Sequence, residues 1–197
     1  MQNALKLKII VGSTRQGRFG RKVGDWVADE AAKHGAFETQ ILDLAEINLP
    51  FLNDAVLPMM RHGVYEDEAV QRWADQVADG EAFIIVTPEY NHGYPGVLKN
   101  AIDSIYHEWA DKPIGFVGYS STPGAARGAV AQLLPIVYRL KLTPVAPSVN
   151  IPNLRPEGPD DSIDLAASVQ AMQATLDNVA KFSRLLKSTR THAKVSV

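Results

Sequence analysis

Short apolar runs alternate along this chain with stretches in which apolar residues recur every three or four positions. The first run, residues 7–11 (LKIIV), stops at Gly12. A polar loop follows, and then Val23, Trp26, Val27 and Ala31 at helical spacing, with Gly35 where a helix would end. Residues 37–44 (FETQILDL) read as a strand whose Glu38 and Gln40 alternate with apolar positions, as at a sheet edge. Residues 45–63 contain Pro50 and Pro58 and show no clean period. They are expected to form a long connection that covers the sheet, with a subunit contact or a lid as the other reading. Val70, Trp73, Ala74 and Val77 mark a second helix closed by Gly80.

Residues 82–87 (AFIIVT) are continuously apolar, as in a strand buried on both faces. The next helix has Pro95 near its start and Val97, Leu98, Ala101, Ile102 and Ile105 on its inner side. Pro113 opens a further strand (PIGFVGY), and Thr122 is the expected N-cap of a helix through about Leu140. Residues 142–145 form a short strand that Pro144 confines to an edge. Residues 148–162 read as loop. Leu165, Val169, Met172, Leu176, Val179 and Leu186 then step along a last helix, and residues 188–197 are expected to fray.

Five strands alternating with five helices predict one α/β domain over residues 1–197: a flavodoxin-like, doubly wound parallel sheet with helices on both faces. The edge-like second and fifth strands select the order 2-1-3-4-5. In that order the chain reverses direction between strands one and three, and ligands bind in the crevice there. Three polar loops meet at that edge: residues 13–20, 88–96 and 118–124.

The first loop runs from a strand into a helix N-terminus, a place where backbone N–H groups and a positive dipole end suit a phosphate. Ser13 and Thr14 offer neutral donors there, and Arg15 and Arg18 add charge. Gly12 and Gly17 have the spacing of a nucleotide-triphosphate loop, but Arg18-Phe19 replaces the required lysine and hydroxyl. Thr14 stands where a dinucleotide fingerprint needs glycine. A mononucleotide such as FMN remains. Pro88 and Gly93 would shape the backbone beside its flat ring, Tyr90 and Asn91 would offer surface and hydrogen bonds to it, and Gly118, Ser120 and Ser121 could donate to the ring carbonyls.

Composition narrows the reading. At 197 residues the chain suits one full core. A net charge of −2 without a basic stripe argues against a nucleic-acid partner. The absence of cysteine removes disulfides and thiolate nucleophiles, a low-molecular-weight phosphatase among them. No apolar run is long enough to span a membrane, and a cytoplasmic protein is expected. The histidines show no metal spacing.

The segments GSTRQGRFG, TPEYNHGYPGVLKNAID and GYSSTPGAARGA, in that order, resemble the NADPH-dependent FMN reductases, flavodoxin-like proteins that include quinone, azo-dye and chromate reductases. The resemblance covers roughly the first 145 residues. It implies FMN as cofactor, with its phosphate on Ser13, Arg15, Arg18, Phe19 and Gly20 and its ring beside Pro88, Glu89, Tyr90 and Asn91. NADPH or NADH would be the electron donor, and a quinone, free flavin, azo compound or oxidised metal the acceptor. It also implies homodimers or homotetramers. Members often carry a second serine or an asparagine late in the first loop, where this chain has Arg18 and Gly20. The alternative is a flavodoxin-like electron carrier with a protein redox partner, but the charge balance provides no strongly acidic face for one. A receiver domain would need acids where Gly12-Ser13 and Thr87-Pro88 stand. No catalytic side chain is demanded, because the cofactor carries the chemistry. Glu89 is expected to order backbone, His92 to occupy a turn, and Trp26, Trp73 and Trp109 to pack.

Overall fold

Side-chain alternation along the central strands assigns each helix to a face of the sheet. The computed structural model describes residues 3–154 and 165–193. Strand β1 (Leu5–Val11) points Leu5, Leu7 and Ile9 to one side and Ile10 to the other. On the first side these residues meet Val23, Val27 and Ala31 of α1 (Gly20–His34) and Met172, Leu176 and Val179 of α6 (Val169–Ala193). The second side is covered by α3 (Glu68–Asp79), α4 (Gly96–Asp103) and α5 (Arg127–Arg139) through Trp73, Val77, Leu98, Ile102 and Leu133. Strands β3 (Ala82–Pro88) and β4 (Pro113–Tyr119) are buried along their whole length, since both faces are covered. Trp73 and Trp109 meet edge-on in that second core, and their indoles donate to the Ala101 and Ile102 carbonyls near the end of α4.

The sheet is parallel, in the order β2-β1-β3-β4-β5, with β2 (Phe37–Asp43) at one edge. This is the flavodoxin-like order expected from the sequence. The opposite edge differs. It is split into β5 (Thr143–Pro144), which pairs with the start of β4, and β6 (Val149–Ile151), which pairs with its end. Thr143 and Val145 donate to β4, but Pro147, next in that alternation, has no amide to give, so pairing lapses there. The loop expected over residues 148–162 therefore begins as a strand, and residues 155–164 lie outside those described.

Three further expectations change. The connection over 45–63 opens with α2 (Leu44–Ile47), capped by the Asp43 carboxylate on the Ala45 amide, and includes a 3-10 turn at Pro58–Met60. Phe51, Leu57, Met60 and Val64 point into solvent, so this segment does not simply cover the sheet. Helix α5 starts at Arg127 rather than near Thr122, because Ala125 and Ala126 take left-handed conformations that a helix cannot contain. Helix α6 continues through Ala193, beyond where fraying was expected, and residues 194–197 are not described.

One charged cluster braces the sheet. The Lys8 side chain is buried on the second face, where its Nζ donates to Asp79 and Gln40 at 2.6 Å each, and Lys6 reaches the other oxygen of Asp79. Lys6 and then Lys8 hold the Asp79 carboxyl down at about 2. A depressed carboxyl contributes stability above its unfolded value near 3.9 and loses it as pH falls through the folded one. Stability is thus expected to decline between about pH 4 and pH 2, and Asp79→Asn should flatten that decline. The same change leaves Lys8 without its anion and should cost about 1–2 kcal/mol at pH 7, since Asp79 itself is half exposed. Urea unfolding at pH 7, 4 and 3 reads both. A pH slope identical to wild type would remove Asp79 from the account.

Candidate functional site

Strands β1, β3 and β4 all end at one edge, and the loops that leave them enclose a cleft of about 460 Å³. It is lined by Ser13, Arg15, Arg18 and Phe19 from the first loop and by Pro88, Glu89, Tyr90, Asn91 and His92 from the second. Tyr119, Ser120, Ser121, Thr122 and Leu154 close the third side. The cleft lies at the reversal point between β1 and β3, the position for ligands in such sheets.

The first loop is held by Arg18. Its guanidinium grips both oxygens of Asp43 at the end of β2, at 3.0 and 2.7 Å, and donates to the Ser13 carbonyl at 2.8 Å. Arg18 was expected to add charge for a ligand; instead a fully buried carboxylate already neutralises it, and it shapes the loop. Arg15 is exposed at the cleft and has no acidic partner among the described residues. Among those residues the amides of Ser13 to Gly17 donate no hydrogen bond, and no side chain caps α1. The Ser13 hydroxyl, itself buried, shares a 2.9 Å hydrogen bond with Tyr90 Oη.

In the second loop, Tyr90 and Gly93 exchange hydrogen bonds of 2.8 and 2.9 Å around Asn91 and His92. Both central residues have positive φ, 51° and 63°, which makes a tight mirror-image turn. His92 is a turn residue, as expected. The carboxylate of Glu89 turns away from chemistry: it accepts the Ala129 amide at 3.0 Å and so satisfies the N-terminus of α5.

The third loop is fastened to the split sheet edge. Ser120 donates its amide to Ile151 O, Leu154 donates to Ser120 O, and the Ser120 hydroxyl turns back onto Thr122. Two residues expected at the cofactor do not line the cleft. Gly118 lies within β4, and a Cβ there would meet Ala126 Cβ at 3.0 Å, so its bareness lets the Ala125–Ala126 turn seat on the strand. Gly20, the first residue of α1, is buried behind the cleft wall, where a Cβ would come within 2.8 Å of Tyr119 Oη.

Tyr119 is the residue missed. The residue is only 5% exposed and lines the cleft, and its buried hydroxyl has no hydrogen-bond partner among the described residues. Burial, with Tyr90 nearby, pushes its ionisation well above that of an ordinary tyrosine, so it stays a neutral donor. Every position of β4 is buried, and the pattern therefore gave Tyr119 no distinction; its place as the last residue of a central strand was the available signal. His92, Thr122 and Leu154 also line the cleft. Lys99 and Asp103 pair with each other on α4 instead of facing it.

Residues 5–155 match the sequence model of the NADPH-dependent FMN reductase family. An NAD(P)H-dependent FMN reductase of Schizosaccharomyces pombe is 31% identical over 147 residues, covering 75% of this chain and 74% of that protein. A 2-hydroxy-1,4-benzoquinone reductase of a Burkholderia species is 33% identical over 127 residues, covering 64% of this chain and 60% of that one. Among solved structures, FerB of Paracoccus denitrificans, a flavoenzyme NAD(P)H:(acceptor) oxidoreductase, superposes with a TM-score of 0.72 at 23% identity, over 92% of this chain and 98% of its own. That last likeness bears on the fold alone. The fold, the cleft at the reversal of strand order and a match spanning all three loops lead to one assignment: this chain belongs to the NADPH-dependent FMN reductase family.

Proposed function

We propose that this protein is an FMN-dependent NAD(P)H oxidoreductase whose acceptor is a small oxidant of the quinone, flavin, azo or oxidised-metal type. The observation that carries the reading is the first loop. Among the described residues the five amides of Ser13 to Gly17 have no acceptor and Arg15 has no acidic partner. Ser13 and Arg15 line the cleft, and the loop leads into an α1 N-terminus that no side chain caps. That set suits a phosphate monoester better than any neutral ligand. Bound there, FMN supplies the two-electron exchange between reduced nicotinamide and acceptor. The chain's own residues bind and orient. Arg15 and the 13–17 amides hold the phosphate, while Arg18 and Asp43 keep that loop in shape. Pro88, Tyr90 and Asn91 flank the space for the ring, and the backbone of Ser120 and Ser121 faces it from across the cleft. Glu89 accepts the Ala129 amide and orders the start of α5.

Two finer points belong to the same proposal. Phe51, Leu57, Met60 and Val64 expose apolar surface, and Phe51 shares one depression with Thr14 of the first loop. Exposed apolar surface of this kind marks an interaction site, and a homodimer or homotetramer would cover it; light scattering on the purified protein tests this. Reduced nicotinamide as donor fits a cytoplasmic setting, which fractionation checks. Among the described residues no helix is long and apolar enough to cross a membrane.

A visible spectrum of the protein with added FMN, followed by anaerobic NADPH and then a quinone, tests the function. A bound flavin that bleaches with NADPH and recovers with quinone is the expected result. Bound flavin that NADPH leaves oxidised would favour an electron carrier instead, and absence of binding would overturn the reading.

A further inference from the structure

We infer that the Tyr119 hydroxyl is a donor to the phosphate monoester at the first loop, reaching it through the gap left by the missing side chain of Gly20. The inference rests on the FMN reading above. Four observations carry it. The hydroxyl lacks a partner among the described residues although the side chain is almost wholly buried, a costly state unless a ligand completes it. It sits against the start of α1, whose N-terminus no side chain caps, and Ser13, Tyr90, Arg18 and Arg15 surround it. Ser13 and Tyr90, the hydroxyls beside it, are drawn to each other at 2.9 Å. Space for it exists only because position 20 is glycine: a Cβ there would lie 2.8 Å from Tyr119 Oη and 3.1 Å from Val11 Cγ1.

The arrangement also explains how this chain manages without a hydroxyl or amide side chain late in its first loop. Arg18 is spent on Asp43, and Gly20 offers no side chain. A donor from β4 takes that place from behind. Because burial keeps the phenol protonated, it remains a donor over the working pH range, whereas a phenolate would repel the phosphate.

The test compares FMN with riboflavin, which lacks the phosphate, by flavin-fluorescence titration of the flavin-free protein. Tyr119→Phe keeps the ring and removes the donor. It is expected to raise the FMN Kd about tenfold while changing the riboflavin Kd less than twofold, as loss of one hydrogen bond to an anion requires. Gly20→Ala, which sets a methyl group against the hydroxyl, should weaken FMN in the same selective way. Inorganic phosphate should compete with FMN less well in both variants than in wild type. Unchanged FMN affinity in Tyr119→Phe would overturn the inference, as would equal weakening of FMN and riboflavin, which would mark a structural role. Should Tyr119→Phe fail to fold, Gly20→Ala decides by the same comparison. Wild-type protein that binds neither flavin would defeat the FMN reading itself, a result distinct from any of these.

Discussion

Arg15→Ala is expected to weaken FMN binding about ten- to a hundredfold and to leave thermal stability within about 0.5 kcal/mol of wild type. The two halves have one cause. Arg15 is exposed and has no acidic partner among the described residues, so the fold gains little from it. Facing an anion in the cleft, however, its guanidinium would make a charge-assisted contact of roughly 1.5–3 kcal/mol, and each 1.4 kcal/mol is tenfold in affinity. The contact lies at a solvent-exposed edge, so wild-type affinity should fall as salt rises and the variant's should fall less. Arg15→Lys should recover part of the loss, since a point charge replaces a planar fork. Fluorescence titration at two ionic strengths measures all three. An Arg15→Ala protein that retains FMN as wild type does would remove Arg15 from the site.

Asp43→Ala is expected to cost about 3–5 kcal/mol in stability. Its side chain is fully buried at the end of β2 and holds three things together: both terminal nitrogens of Arg18, the amide of Ala45 at the start of α2 and, at 3.8 Å, the guanidinium of Arg21. Removing the carboxylate leaves Arg18 partly buried without its counter-ion and releases the Ser13 carbonyl contact along with it. The transition temperature should drop by roughly 10 °C for a chain of this size. Arg18→Met should cost a similar amount, because it leaves the fully buried Asp43 carboxylate with the Ala45 amide and an Arg21 guanidinium 3.8 Å away. FMN binding should suffer in both, through disorder of the first loop and not through loss of a direct contact. A stability loss under 1 kcal/mol in Asp43→Ala would show that the pair does not anchor the loop.

The order of strands was legible because it depends on quantities a sequence displays. The apolar runs at 7–11 (broken only by Lys8), 82–87 and 113–119 read as strands, the second of them covered on both faces, and Glu38, Gln40 and Pro144 read as edge residues. Three polar loops at strand ends then had to meet at one crevice. The broken edge was not legible: Val149, Asn150 and Ile151 make too short an alternation to stand out, and their pairing comes from β4 alone. The start of α5 was misjudged for a similar reason. Thr122 has the right chemistry for a cap, but Glu89, distant in sequence, does the capping.

Sequence by itself determined the sheet, the crevice and the family of ligand, since burial and turn chemistry are local properties that accumulate along the chain. Tertiary structure alone decided which polar groups are left free for a ligand. Arg15 and Arg18 look alike in sequence, yet Asp43 neutralises one and, among the described residues, no acid pairs with the other. Tyr119 looks like one more core aromatic until the bare α-carbon of Gly20 lets its hydroxyl sit beside the first loop with no hydrogen-bond partner among the described residues. The physical reason is that a hydrogen-bonding group is defined by what surrounds it in space, and those surroundings come from β2, β4 and α1 only after the chain has folded.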